Sequence, residues 1–180
     1  QVLGITTEKT LEHTAKIFSE SGPTKAEAAA IEIAEKCSER PQGEKETCEY
    51  ISDKFSFPLK DTKDYLHQFG EIGFVDEEDI DSDKIYFNGN LFKSDNIRKI
   101  NGVLSSLTDA ETKIVNEVSD KLKARGCISK SMVTRILGQP LYNKLISVGF
   151  YEENTIGNEA GMHAFVTSPS SFSKFTNSIV

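Results

Sequence analysis

The sequence predicts a mainly α fold with small β-hairpins, arranged as two similar units joined by a linking helix. Three observations predict it. Apolar residues recur at helical spacing along most of the chain, and two Thr-x-x-Glu boxes, Thr24 with Glu27 and Thr108 with Glu111, mark helix starts. Leu66, Gly70 and the run Gly73-Phe74-Val75-Asp76-Glu77-Glu78 find a counterpart in Leu141, Leu145 and Gly149-Phe150-Tyr151-Glu152-Glu153-Asn154, an internal spacing of about 76 residues. The charge also divides: residues 1–100 carry −8 and residues 101–180 carry +1, within a total of −7.

The elements follow in order. Leu11, Ala15 and Phe18, with Ile17 alongside, give an amphipathic N-terminal helix within residues 1–22, closed by Ser21, Gly22 and Pro23. From Thr24 an Ala-rich helix places Ala26, Ala30, Ile33, Ala34 and Cys37 on one stripe, and Arg40-Pro41-Gln42-Gly43 breaks the chain. A short helix turns Tyr50, Ile51 and Phe55 inward, and after Pro58 another turns Tyr65, Leu66 and Phe69 inward. Ile72 to Val75 and Ile85 to Phe87 read as hairpin strands joined by the acidic run Asp76 to Asp83, with a first unit ending near residue 92.

Residues 93–107 form the linking helix, with Ile97, Ile100, Val103, Leu104 and Leu107 inward and an interruption expected at Gly102. Thr108 opens a second unit, residues 108–167. Its first helix carries Ile114, Val115, Val118 and Leu122 and stops at Gly126. Ser129 or Ser131 caps the next, with Met132, Val133, Ile136 and Leu137. A third carries Leu141, Leu145, Ile146 and Val148, and a strand from Gly149-Phe150-Tyr151 meets a partner holding Met162, Ala164, Phe165 and Val166. In both halves the glycine supplies the left-handed turn from helix to strand, and the phenylalanine is expected to plug the gap behind it.

Helix, helix, helix, hairpin, occurring twice, resembles a tandem of winged helix-turn-helix domains. The resemblance lies in element order and turn chemistry and covers residues 24–92 and 108–167. It implies a third helix that enters the DNA major groove and a wing that lies on the backbone, although many such domains contact proteins instead.

The candidate surfaces differ between the halves. The first unit's third helix shows Lys60, Asp61, Lys63, Asp64, His67 and Gln68, and its wing shows Asp76, Glu77, Glu78, Asp79, Asp81 and Asp83, a poor surface for a polyanion. The second unit offers Lys121, Lys123 and Arg125 at the end of its first helix, Lys130 and Arg135 on its second, and Asn143 and Lys144 on its third. These types make phosphate and base-edge contacts, so the seven are the candidate nucleic-acid-binding residues. The Ser- and Thr-rich tail, residues 168–180, carries Phe172 and Phe175 as candidates for docking on a partner.

Composition excludes several classes. With 180 residues, 37% of them hydrophobic, the chain can bury a core. No apolar run approaches the roughly 18 residues of a membrane helix. Three cysteines, Cys37, Cys48 and Cys127, make no disulfide framework and are expected as buried apolar residues in a reducing, cytoplasmic setting. Asp79, Asp81 and Asp83 alternate like calcium ligands, but Lys84 and Asn90 stand where that loop needs Gly and Glu, so no metal is expected. No nucleotide-binding glycine motif, nucleophile elbow or His-Glu-x-x-His occurs, and no catalysis or cofactor is expected. The chain thus reads as a non-catalytic fragment of a longer protein, acting as a DNA-binding or transcription-regulating module through its second unit. The alternatives are a protein-interaction adaptor, or an accessory domain of an ATPase or nuclease.

Overall fold

The computed structural model describes residues 6–158 and 161–171. Its elements are α1 (Thr7–Glu20), α2 (Lys25–Glu39), β1 (Gln42–Gly43), α3 (Glu44–Phe55), α4 (Leu59–Glu71), β2 (Asp76–Ile80), β3 (Asp83–Phe87), α5 (Ser94–Ser105), α6 (Asp109–Arg125), β4 (Ile128–Ser129), α7 (Lys130–Leu137), α8 (Gln139–Ser147), β5 (Glu152–Asn158) and β6 (Gly161–Thr167). The protein is mainly helical with two small antiparallel sheets, ordered β1-β3-β2 and β4-β6-β5.

Both predicted boxes form. The Thr24 N–H donates to Glu27 Oε2 at 2.7 Å while the Glu27 N–H donates to Thr24 Oγ1 at 3.2 Å, and Thr108 and Glu111 repeat this at 2.8 and 3.2 Å. Each exchange satisfies two amides that a helix start leaves open. From these caps α2 buries Ala29, Ile33 and Cys37, and α6 buries Val115, Val118 and Leu122.

Several expectations need correction. Arg40 to Gly43 does not simply break the chain, because Gln42 and Gly43 form β1 and pair with Tyr86 and Ile85. In the second half Ile128 and Ser129 do the same against Val166 and Phe165. The first hairpin begins at Asp76 rather than Ile72, so the acidic run is itself a strand. Its turn is confined to Asp81 and Ser82, with Asp81 at φ 55°. An edge strand with one wet face accepts such residues, and Glu77 and Asp79 are matched there by Lys84. Likewise β5 starts at Glu152, after the Gly-Phe-Tyr run.

Gly102 does not interrupt α5, which runs through it on the buried stripe Ile97, Ile100 and Val103; a glycine in a helix weakens it by only about 1 kcal/mol. Phe150 plugs its junction at 4% exposure, whereas Phe74 lies on the surface at 43%, its ring 6.4 Å from that of Phe69. Met132 is exposed rather than inward, and Cys127 is exposed, sitting in the turn before β4, while Cys37 and Cys48 are buried. Tyr50, Phe55 and Tyr65 are half-buried. Phe172 and Phe175 lie outside the described residues.

The core falls into two clusters that share a wall. The smaller gathers Ala29, Ile33, Cys37, Cys48, Ile51, Leu66, Phe69, Val75 and Tyr86 under α2, α3 and α4. The larger contains Ile80, Ile85, Phe87 and Phe92 from the first half together with Ile97 and Ile100 of α5, Val118 and Leu122 of α6, Leu145 of α8 and Val166 of β6. Because side chains alternate along a strand, Tyr86 faces one cluster while Ile85 and Phe87 face the other, each at 1% exposure. Helix α5 therefore does more than link: it covers the outer face of the first sheet and also packs against α8.

Charged contacts close the seam between the halves. Lys123 of α6 reaches Glu35 at 3.3 Å and also pairs with Glu39, both on α2, and Arg40 Nη1 donates to Asn116 at 3.5 Å. Among the described residues no helix is long and apolar enough to cross a membrane.

Candidate nucleic-acid interface

The second unit's candidate residues distribute over α6, α7 and α8 and do not act as one patch. Lys123 is turned toward the first unit, and its ammonium is held above its usual range chiefly by the hydrogen bond to Glu39. Lys121 pairs with Glu117 one turn back on α6 at 3.2 Å. Arg125 is exposed in the last turn of α6, where a cation is favoured by the helix dipole. These three belong to the seam and the α6 terminus, so the sequence cluster at residues 121–125 is split by the helix period.

The other four lie on α7 and α8. Helix α8 buries Leu141, Tyr142 and Leu145 and leaves Gln139, Asn143 and Lys144 on its outer side, as its period dictates. Gln139 Nε2 donates to Asn143 Oδ1 at 2.6 Å, which fixes both amides on the surface. Lys144 Nζ donates to Ser106 Oγ at 2.8 Å, tying α8 to the turn after α5.

An open groove runs between α7 and β6, lined by Lys130, Thr134, Arg135, Met162 and His163. Lys130 bonds Glu153 of β5 at 2.8 Å and lies 5.7 Å from the Tyr142 ring centre, and the Tyr142 hydroxyl donates to Glu153 at 2.6 Å. The Lys130 bond, then that of Tyr142, holds the Glu153 carboxyl below its ordinary range; burial, then Glu153, raises the Tyr142 phenol. Lys130 is therefore a half-neutralised cation that fastens the hairpin to α7. Arg135 is exposed at the other end of α7. Thr134 Oγ1, also at the groove, is buried with no hydrogen-bond partner.

The first unit also has a groove against its hairpin, and that one is acidic. Its groove between α4 and the β2–β3 hairpin is lined by Glu44, Asp64, Asp79 and Asp83, and its lysines are engaged, Lys63 with Glu44 at 2.9 Å and Lys84 with Glu77 at 2.7 Å. Asp79 and Asp81 have side chains 84% and 88% exposed. Asp79 sits opposite Lys84 in the hairpin ladder. Among the described residues no three acidic, His or Cys side chains are grouped to hold a metal ion.

Sequence reasoning missed Tyr142 and Glu153, which position Lys130. A tyrosine directly after a buried leucine, with an acidic residue opening the next strand, was the available signal. No family model, curated protein or solved structure matches the chain.

Proposed function

We propose that the chain is a tandem winged helix-turn-helix module, comprising residues 24–92 and 108–167, that binds duplex DNA through the second unit in a regulatory role. Supporting the fold reading, both halves run helix, short strand, helix, helix, hairpin, with the last strand central in each sheet. The observation that carries the function is the exposed set of cations and amides on the second unit's helices, Arg135 on α7 and Gln139, Asn143 and Lys144 on α8, where the first unit's groove is acidic. Amides there would address base edges while the cations take phosphates. Arg135, Asn143, Lys144 and Lys130 are the contact residues in this reading; Lys121, Lys123 and Arg125 contribute only to the surrounding field.

The test is titration of a labelled mixed-sequence duplex followed by fluorescence anisotropy. Micromolar binding is expected, falling with salt at a log–log slope of roughly −3 if the three cations each neutralise one phosphate. The double change Arg135→Glu with Lys144→Glu should weaken binding by at least about tenfold, since each removes an attraction and adds a repulsion. Binding that ignores salt, or ignores the double change, overturns the reading. A second reading, a protein-contact role for the first unit, is favoured by its exposed Asp79 and Asp81 and by exposed Ile72 and Phe74 after α4.

A further inference from the structure

We propose that α1 is a self-association arm, through which two copies of the chain pair antiparallel along Leu11, Ala15 and Phe18. These residues follow one another at intervals of four and three and so share one stripe of α1, while Ile17 lies off it, about 100° or more around the helix. The stripe is largely open: Leu11 is 61% exposed and Ala15 exposed, while Phe18 is half-buried. Helix α1 packs extensively against no other element of the described chain.

Its own sequence does little to hold it. A helix of 14 residues is marginal in water even when Ala-rich, and α1 has only the Thr6 cap on the Lys9 N–H and an exposed Lys16–Glu20 pair at 3.7 Å. Burial of the stripe would supply what is missing.

Charge selects the occupant. Glu12 and Lys16 lie one turn apart on the flank beyond Ala15. When a second α1 runs antiparallel, Leu11 of each copy meets Phe18 of the other and Glu12 of each meets Lys16 of the other, twice by the two-fold axis. A parallel pair would set Glu12 against Glu12 and Lys16 against Lys16. The stripe is thus complementary to itself in one orientation. With α1 only about 21 Å long, the contact is smaller than a standard interface, so a weak dimer of roughly 10 to 100 μM is expected.

Sedimentation velocity of the full chain from about 5 to 500 μM tests this, with circular dichroism to confirm that each variant is folded. A monomer–dimer equilibrium is expected, abolished by Leu11→Glu. Glu12→Lys alone and Lys16→Glu alone should each weaken it several-fold, and mixing those two variants should restore dimers, because Lys then meets Glu at both crossings. A chain that stays monomeric throughout, a dimer indifferent to Leu11→Glu, or a mixture that does not recover overturns the proposal. The first result would leave the stripe to a different protein, and the last to a different orientation.

Discussion

At the scale of single residues, burial decides reactivity. Burial pushes the Cys37 thiol up to about 12 against a small opposing pull from Lys36, and burial, then Glu44, raises Cys48 to about 11. Both stay protonated at neutral pH, whereas Cys127 is exposed. One thiol should therefore react with a chromogenic disulfide reagent within minutes at pH 7.5, and the other two only once denaturant is added; two fast thiols would contradict the packing. Tyr151 gives a second case. Its hydroxyl donates to the Val115 carbonyl at 3.1 Å and lies 2.8 Å from Ser119 Oγ, so the ring that follows Phe150 anchors the helix-to-strand junction onto α6. Tyr151→Phe should lower unfolding free energy by about 1 to 2 kcal/mol, read by urea titration. Phe150 was legible as the plug. Phe74 was not: the residue after it, Val75, is buried at 2% just as Tyr151 is at 1% after Phe150, so the tripeptide pattern does not separate the two rings.

Among elements, helices were the legible part, since caps and stripes are local and periodic. The two-residue strands β1 and β4 were not, because a pair of residues carries no period and their pairing comes from β3 and β6, each about forty residues further on. Strand starts were read too early at both Gly-Phe junctions, where the backbone is still turning with Gly73 and Gly149 at φ 71° and 77°. Gly149→Ala meets that left-handed conformation and also Asn96 Nδ2 at 3.4 Å from the new Cβ, so a loss of about 1 to 2 kcal/mol is expected by thermal denaturation. The candidate site was legible in residue type but not in grouping: Lys123 was spoken for by two glutamates at a sequence distance that no local pattern reveals. The capping boxes give an acid-side prediction. Hydrogen bonds from the Thr24 and Thr108 backbone N–H groups, then their hydroxyls, hold Glu27 and Glu111 below the ordinary value of 4.5. The helix starts are thus fully supported above that value and lose this support as pH falls through the lowered ones. Melting temperature followed from pH 6 to pH 3 should fall less steeply in a variant with both Glu27→Gln and Glu111→Gln than in the natural sequence.

For the whole molecule, the shared wall matters most. Ile85 and Phe87 on one side of β3 and Tyr86 on the other make the two clusters lean on one strand, and α5 seals the outer side. Two units that looked separable by their charge should therefore melt together. Phe87→Ala should cost about 3 to 5 kcal/mol and lower the protection of α2 and α8 amides in parallel by hydrogen exchange. Protection lost on only one side would show that the halves unfold independently. The wall has a further consequence for anyone who cuts the chain. A break at the exposed turn of Gly89 and Asn90 would leave one piece with Ile80, Ile85 and Phe87 bare and the other with the bare stripe of α5. Each piece carries the surface the other lacks, so the severed halves, made separately, should find each other and rebuild one body, which makes the protein a natural split reporter.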